Sequence, residues 1–419
     1  MELSKYSIRF CRLALFAAVA CAQGADPLLD NAGVKKALAY LETHHEAHVR
    51  KQVEIAEVPA PTFAEKERAQ VLVGEFGRVG LKNIETDPRG NVLGWRDGTS
   101  PRTLVVAAHL DTVFPAGTGV KVKRSGARMN GPGLMDDSRG LAVLLALVEA
   151  LDSGSVATNK SLLFVANVCE EGLGDLLGIK YLLREGRYKD RVDAFISIDG
   201  YDDNVIVNRA MASKRYRITV RGPGGHSWGN FGRANPAHAL GRIMARIADL
   251  DVPDSPKTVY NVGRIGGGTS INSIPFESWM DVDMRSESDA ELDKLEARLL
   301  QVVRAGVEAE NKLRAASGTR VEAESKLLAT RYSGTTAEST PLVQAALWAA
   351  RTMGRTPRLA IGSTDSNVPI NMGIPAVTIA GGGRAGNLHS LEEWFEPEGA
   401  WKGAQQALLT VLSYDSRTR

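Results

Sequence analysis

The hydrophobic pattern divides the chain into two kinds of segment. Four runs, Thr103 to Ala108, Ser161 to Val168, Asp193 to Ile198 and Pro375 to Ala380, are rich in Val, Ile, Leu, Ala or Phe and show little alternation. Runs of this kind fit strands covered on both faces, the habit of parallel sheets. Helical stretches lie between them, among them Arg139 to Leu151 and Leu176 to Arg184. Strand alternating with helix predicts an α/β fold with a mostly parallel sheet and flanking helices. The middle of the chain has another rhythm. Arg215 to Val220 alternates charged and apolar positions, as a strand with one wet face does. A helix is predicted over Pro236 to Leu250, with Pro near its first turn. Strands follow at Thr258 to Ile265 and Ser278 to Met284, then a helix from Ala290 to Gly306 and a last strand near Arg320 to Ala323. That β-α-β-β-α-β order predicts an inserted α+β, ferredoxin-like unit. The expected division is 26–211 and 326–419 for the two parts of the α/β domain and 212–325 for the insert.

The N-terminus stands apart. Lys5, Arg9 and Arg12 precede a short apolar run, Leu13 to Ala22, followed by Gln23, Gly24, Ala25 and Asp26. This is the layout of a secretory signal peptide, expected over 1–25, and the run is too short for a membrane span. It predicts an exported protein, periplasmic or secreted. Lipoprotein anchoring through Cys21, which follows Ala18-Val19-Ala20, is an alternative, weakened by Ala rather than Leu three positions earlier. A buried first helix is the plainer reading. The other cysteines are Cys11 and Cys169, so at most one pair survives export and the fold does not rest on a disulfide framework.

Composition adds little beyond class. The 419 residues are 43% hydrophobic and 24% charged, which suits a globular chain of more than one domain. A net charge of +2 without a basic block points away from nucleic acid as a partner.

The chemistry gathers at strand ends. The first apolar run leads into His109-Leu110-Asp111, the second into Glu170-Glu171, the third into Asp199-Gly200, and the fourth into Gly381 to Gly383 and then His389. A turn, Gly131-Pro132-Gly133, leads to Asp136-Asp137 at the start of a helix. Ligands of open α/β sheets bind at the carboxyl ends of the strands, so these segments are expected to converge. Taken singly, each has a plainer reading: His109 a hydrogen-bonded strand end, Asp136-Asp137 a helix cap, Glu170-Glu171 a solvated loop, Asp199 a turn. Together they bring two imidazoles and several carboxylates to one edge. That donor set suits zinc, and paired divalent cations would relieve the mutual repulsion of the acids. Of these side chains, a carboxylate such as Asp136 can bridge two metals; a His cannot.

In this order, His109-Leu110-Asp111-Thr112-Val113, Gly131-Pro132-Gly133 with Asp136-Asp137, Glu170-Glu171-Gly172, Asp199-Gly200 and His389 resemble the zinc peptidase family of aminoacylase, carboxypeptidase G, carnosinase and peptidase T. One departure is that Ser138-Arg139-Gly140 follows the Asp pair where the family often has Lys and Gly. The resemblance implies a zinc-exopeptidase-like catalytic domain with two zinc ions per subunit, cobalt or manganese being alternatives. His109, Asp136 and Asp199 would hold one ion, and Asp136, Glu171 and His389 the other. Glu170 would be the general base, with Asp111 orienting His109. The insert would be a lid and dimerisation domain. There Gly224-Gly225-His226-Ser227 matches a motif whose His steadies the oxyanion, sometimes across a homodimer. Asn272 and Arg285 would grip a substrate carboxylate. Gly362-Ser363-Thr364-Asp365-Ser366-Asn367 resembles a segment near the substrate, though it is also ordinary loop chemistry.

The expected activity is cleavage of an amide bond in a small peptide, as by a di- or tripeptidase, because relatives with Asp at the place of Asp199 tend to be peptidases. An N-acyl amino acid deacylase or glutamate-type carboxypeptidase on the same site is the alternative. A serine hydrolase using Ser227 is the rival from another class, since Gly225-His226-Ser227-Trp228-Gly229 fits a nucleophile elbow, but no helix is predicted directly after it. Cys169 reads better as a packed strand residue than as a nucleophile. A non-catalytic binding protein would be expected to lack Glu170 or a ligand.

Overall fold

The computed structural model describes residues 26–418; the predicted signal segment, with Cys11 and Cys21, lies outside them. The chain enters a main sheet with β1 (Lys82–Thr86), β2 (Val92–Arg96), β3 (Ser100–His109), β4 (Lys160–Asn167), β5 (Val192–Ile198) and β6 (Val205–Ala210). It leaves for a second sheet of β7 (Ala212–Arg221), β8 (Thr258–Gly267), β9 (Glu277–Ser286) and β10 (Glu322–Arg331). It returns with β11 (Gly334–Thr335), β12 (Arg358–Gly362) and β13 (Ala376–Ile379).

The main sheet runs β1-β2-β4-β3-β5-β13-β6-β11, with β12 beside β6. Its centre, β4-β3-β5-β13, is parallel throughout and corresponds to the four apolar runs. The missing alternation has a direct cause. Leu104, Val106 and Ala108 of β3 join the apolar cluster on one face, while Val105 and Ala107 join the cluster on the other. Successive strand residues point to opposite faces, so both parities must be apolar when both faces are covered.

Helices α1 (Ala32–Thr43), α2 (His45–Ala56), α3 (Lys66–Arg78) and α4 (Ser138–Ser153) supply much of that cover, followed by α5 (Leu177–Arg184), α6 (Pro236–Ala248), α7 (Asp289–Leu313), α8 (Pro341–Thr352) and α9 (Trp401–Arg417). Helices α1, α3, α4, α8 and α9 pack on one face of the main sheet, and α5 sends Ile179, Leu182 and Leu183 to the other. Among the described residues, no helix is long and apolar enough to cross a membrane.

The second sheet runs β8-β9-β7-β10 and is antiparallel. Helices α6 and α7 cover one face with a separate core that includes Ile218, Ile243, Met280, Val282, Leu295 and Leu299. The opposite face carries Trp279, Asp281, Asp283 and Arg285, the more open positions of β9. Two ends differ from the sequence expectation. Helix α7 runs past Gly306 to Leu313, because that glycine marks contact rather than a stop: a Cβ there would lie 2.4 Å from Ile243 Cγ1 of α6. Strand β10 runs on to Arg331, beyond residue 325. A register shift between Leu327 and Ala329 breaks its period, so the bulged stretch Lys326 to Arg331 does not read as a continuation of the alternating strand.

Candidate active site

Five segments converge at the carboxyl edge of the parallel strands, as their chemistry predicts. His109 is the last residue of β3, Glu170 and Glu171 follow β4, Asp199 follows β5, and His389 lies in the loop after β13. Asp136 stands just before α4. His109 Nε2 is 3.0 Å from Asp136 Oδ1, and His389 Nε2 is 2.9 Å from Asp136 Oδ2. His389 Nε2 is also 3.0 Å from Glu171 Oε1. The donors form overlapping triples, His109-Asp136-Asp199 and Asp136-Glu171-His389, each with ligand atoms within 4.8 Å of one another. A third triple joins His109 to Glu170 and Glu171. His109 is buried, whereas the His389 side chain is 54% exposed, so the cluster opens toward solvent on the His389 side. His389 has φ 63°. A non-glycine residue held in the left-handed region costs on the order of 1 kcal/mol, and the surrounding loop must enforce it.

The supports explain how distant segments keep register. Asp111 accepts from the Glu170 and Glu171 backbone N–H groups, both at 2.9 Å, and from Thr62 Oγ1 at 2.9 Å. Its carbonyl oxygen lies 3.0 Å from His109 Nδ1 and its carboxylate 3.5 Å away. One side chain thus ties the β3 end to the loop after β4. Asp137 does the same for α4: its carboxylate accepts from the His109 N–H and, as the helix N-cap, from the Gly140 N–H. Glu393 accepts from the N–H groups of Gly133, Met135 and Asp136 and so fixes the loop that presents Asp136. Gly133 has φ 70°, and a Cβ there would lie 2.6 Å from Thr112 Cγ2, so the turn needs glycine. Arg139, the departure from the family pattern, is buried and donates to the carbonyls of Gly381 and Ala400, bracing the Gly-rich loop that leads toward His389.

Replacing Asp111 with Asn keeps the size but removes the charge and one strong acceptor. Such outer-layer changes cost about 10- to 100-fold in metal affinity or activity. We expect a loss in that range, read from metal competition against a chelator, together with a lower melting temperature, because one buried N–H of the Glu170–Glu171 loop loses its acceptor. Unaltered affinity would mean that Asp111 serves only the loop.

The electrostatics favour cations. Burial and then the neighbouring Asp136 push the Asp199 carboxyl up to about 7. Burial raises Glu170. Burial would also raise Asp136, but the flanking histidines outweigh it and hold the carboxyl below its usual range. His389 is pushed up to about 11, first by Asp136 and then by Glu171. Paired acids this close resist full ionisation, a cost that bound divalent cations remove.

Other predicted residues sit elsewhere. His226, Asn272 and Arg285 make no hydrogen bond or ion pair with the cluster. His226 is exposed on a two-residue strand paired with Ser273–Ile274. Its Nδ1 accepts from the Trp228 and Gly229 N–H groups. The Asn272 carbonyl accepts from the Ser227 N–H close by. Arg285 pairs with Asp283 at 2.7 Å and lines a cavity of about 340 Å³, which Gly172 and Leu173, just past Glu171, also line. Ser227 has no helix directly behind it; the next begins at Pro236. Cys169 is buried, and its thiol donates to Glu65 at 3.3 Å. Burial, and then Glu65, raise its pKa, which suppresses the thiolate a nucleophile needs.

Sequence reasoning missed Glu65, Glu393 and Arg331 and gave little weight to Asp365. Glu65 accepts from the Cys169 and Phe63 N–H groups. Asp365 is fully buried beside the site, accepts from Asn167 at 2.7 Å and is pushed up to about 6 by burial.

The family model of peptidase family M20/M25/M40 matches residues 105–413. Carboxypeptidase G2 of Pseudomonas sp. strain RS-16 is 24% identical over 224 residues, which cover 50% of this chain and 52% of that protein. The chain spans about half the length of the curated relatives it matches. Among solved structures, the aminopeptidase PepT of Bacillus cereus superposes with a TM-score of 0.67 at 23% identity, covering 89% of this chain and 99% of its own. The dipeptidase Dug1p of Saccharomyces cerevisiae gives 0.75 at 15% identity, covering 93% and 100%. These likenesses show the fold.

Proposed function

Since the chain belongs to peptidase family M20/M25/M40 and is a metal-dependent hydrolase of that kind, we propose that it is a two-zinc exopeptidase cleaving an amide bond in small di- or tripeptides. The observation that carries this reading is the placement of Asp136. One oxygen meets His109 and the other meets His389, so a single carboxylate belongs to both triples. A shared carboxylate is what a pair of divalent cations roughly 3.5–4 Å apart requires.

His109, Asp136 and Asp199 would hold one zinc, and Asp136, Glu171 and His389 the second. When bound, such ions lower the pKa of water and polarise a carbonyl oxygen. The protein's own groups do the rest. Glu170 takes the proton of the attacking water and returns it to the leaving amine nitrogen as the C–N bond breaks. Asp111 keeps His109 and the Glu170–Glu171 loop in register. His226, whose Nδ1 is used as an acceptor, presents Nε2–H as a donor for the developing oxyanion. The inserted unit, which runs to Arg331, acts as a lid that closes over substrate, with Arg285, which lines the 340 Å³ cavity, and Asn272 taking its carboxylate. A homodimer through the same unit would deliver His226 from a second copy. Export, directed by residues 1–25, puts this activity outside the cytoplasm.

A panel of dipeptides, tripeptides and N-acyl amino acids, assayed with added zinc and after phenanthroline treatment, tests the reading. Peptides are expected to be cleaved, activity to vanish with chelation and to return with zinc. Cleavage of N-acyl amino acids alone would shift the assignment to a deacylase. Chelator-resistant turnover would overturn the metal mechanism.

A further inference from the structure

The last residue of β10 reaches into the site. Arg331 is buried, with only 4% of its surface exposed, and a buried guanidinium is costly unless its partners are well placed. Its Nη1 donates to Glu170 Oε1 at 3.2 Å and to Ser363 Oγ at 2.9 Å, and its Nη2 donates to the Glu170 carbonyl at 2.6 Å. Its Nε lies 3.7 Å from Asp175 Oδ1. The residue before it is tied to the same loop: the Thr330 N–H donates to Asp175 Oδ2 at 3.2 Å, and Lys180 Nζ donates to the Thr330 carbonyl at 3.0 Å. The segment through which the chain leaves the second sheet is therefore clamped to the loop that carries Glu170. The acids Glu171 and Asp365 also feel the Arg331 charge.

From this geometry we infer that Arg331 is a positioning residue: it holds one carboxylate oxygen of Glu170 and leaves the other to exchange a proton with the reacting water. The inference rests on Glu170 being the base. The contact is one-handed. Arg331 meets Oε1, and no hydrogen bond to Oε2 exists among the described residues. A two-handed fork would occupy both oxygens and block the base. The second arm, on the Glu170 carbonyl, fixes the backbone from which the side chain swings. A purely structural arginine would serve equally well on the backbone carbonyl and on Ser363; the bond to the carboxylate is what ties it to catalysis.

The test is a double-substitution cycle on the zinc-loaded enzyme. R331M is expected to lower kcat by about 10- to 100-fold, the scale of a misplaced catalytic group, with KM within about threefold and two zinc ions retained. R331K, which keeps the charge and one arm, should recover part of the loss, and it carries the test if R331M does not fold. In an E170Q background the same substitution should cost less than about twofold, because its only route to the rate has already been removed. Independent, multiplying losses would overturn the inference, as would a rise in KM at constant kcat or the loss of zinc from R331K. Full activity of E170Q alone would instead refute the base assignment on which the inference stands.

Discussion

Replacing Asp136 with Ala is expected to lower turnover by at least about ten-thousandfold and bound zinc from two ions per chain to well under one. Asp136 is the one residue common to both main triples, so in the proposed two-metal site its loss would remove a ligand from each ion at once. The size of the effect follows from the water. A cation can bring its pKa from 15.7 to about 7, so without one the nucleophile at neutral pH is scarcer by many orders of magnitude. A ten-thousandfold loss is then a conservative floor. His389→Ala is the informative contrast, because His389 belongs to the second triple alone, and about one zinc should remain. Metal analysis of both variants beside their rates decides the matter. Two firmly bound ions in the Asp136 variant would show that the carboxylate does not bridge.

Much of this site was legible because its residues are out of character for where they stand. A His closing an apolar strand, an acid pair a short step past another, and Asp199 just after a third are costly placements for a fold alone. The four strands were legible for the complementary reason: both of their faces are covered, so apolar residues occupy both parities and the run stands out.

What stayed hidden obeys a different logic. Glu65 and Glu393 act by accepting backbone N–H groups, a task any loop carboxylate can perform, and no spacing announces it. Arg331 ends a strand whose period is broken by a bulge, and its partners Glu170, Asp175 and Ser363 come from distant segments, so nothing local announces its burial. His226, Asn272 and Arg285 were singled out from a motif, and a single chain leaves them apart from the cluster. The part proposed for them would need a closure or a second copy, which sequence periodicity does not encode.

Glu170→Gln carries the second large effect and separates two roles for one residue. Glu170 belongs to a triple with His109 and Glu171, so by position it could be a ligand as readily as a base. The charge balance favours the base. Arg331 already holds one of its oxygens, and burial raises its proton affinity above that of an exposed carboxylate. Gln keeps the shape, and its amide oxygen can still accept from Arg331, but it cannot take a proton from water. We expect kcat to fall by about a thousandfold to ten-thousandfold, roughly 4 to 5.5 kcal/mol of transition-state stabilisation, with KM little altered and both zinc ions in place. A ligand would behave otherwise: zinc would drop with the rate, and excess zinc in the assay would restore part of it. Zinc stoichiometry measured on the same preparation as the kinetics therefore distinguishes the roles, and a dead enzyme that still binds two ions identifies Glu170 as the group that moves the proton.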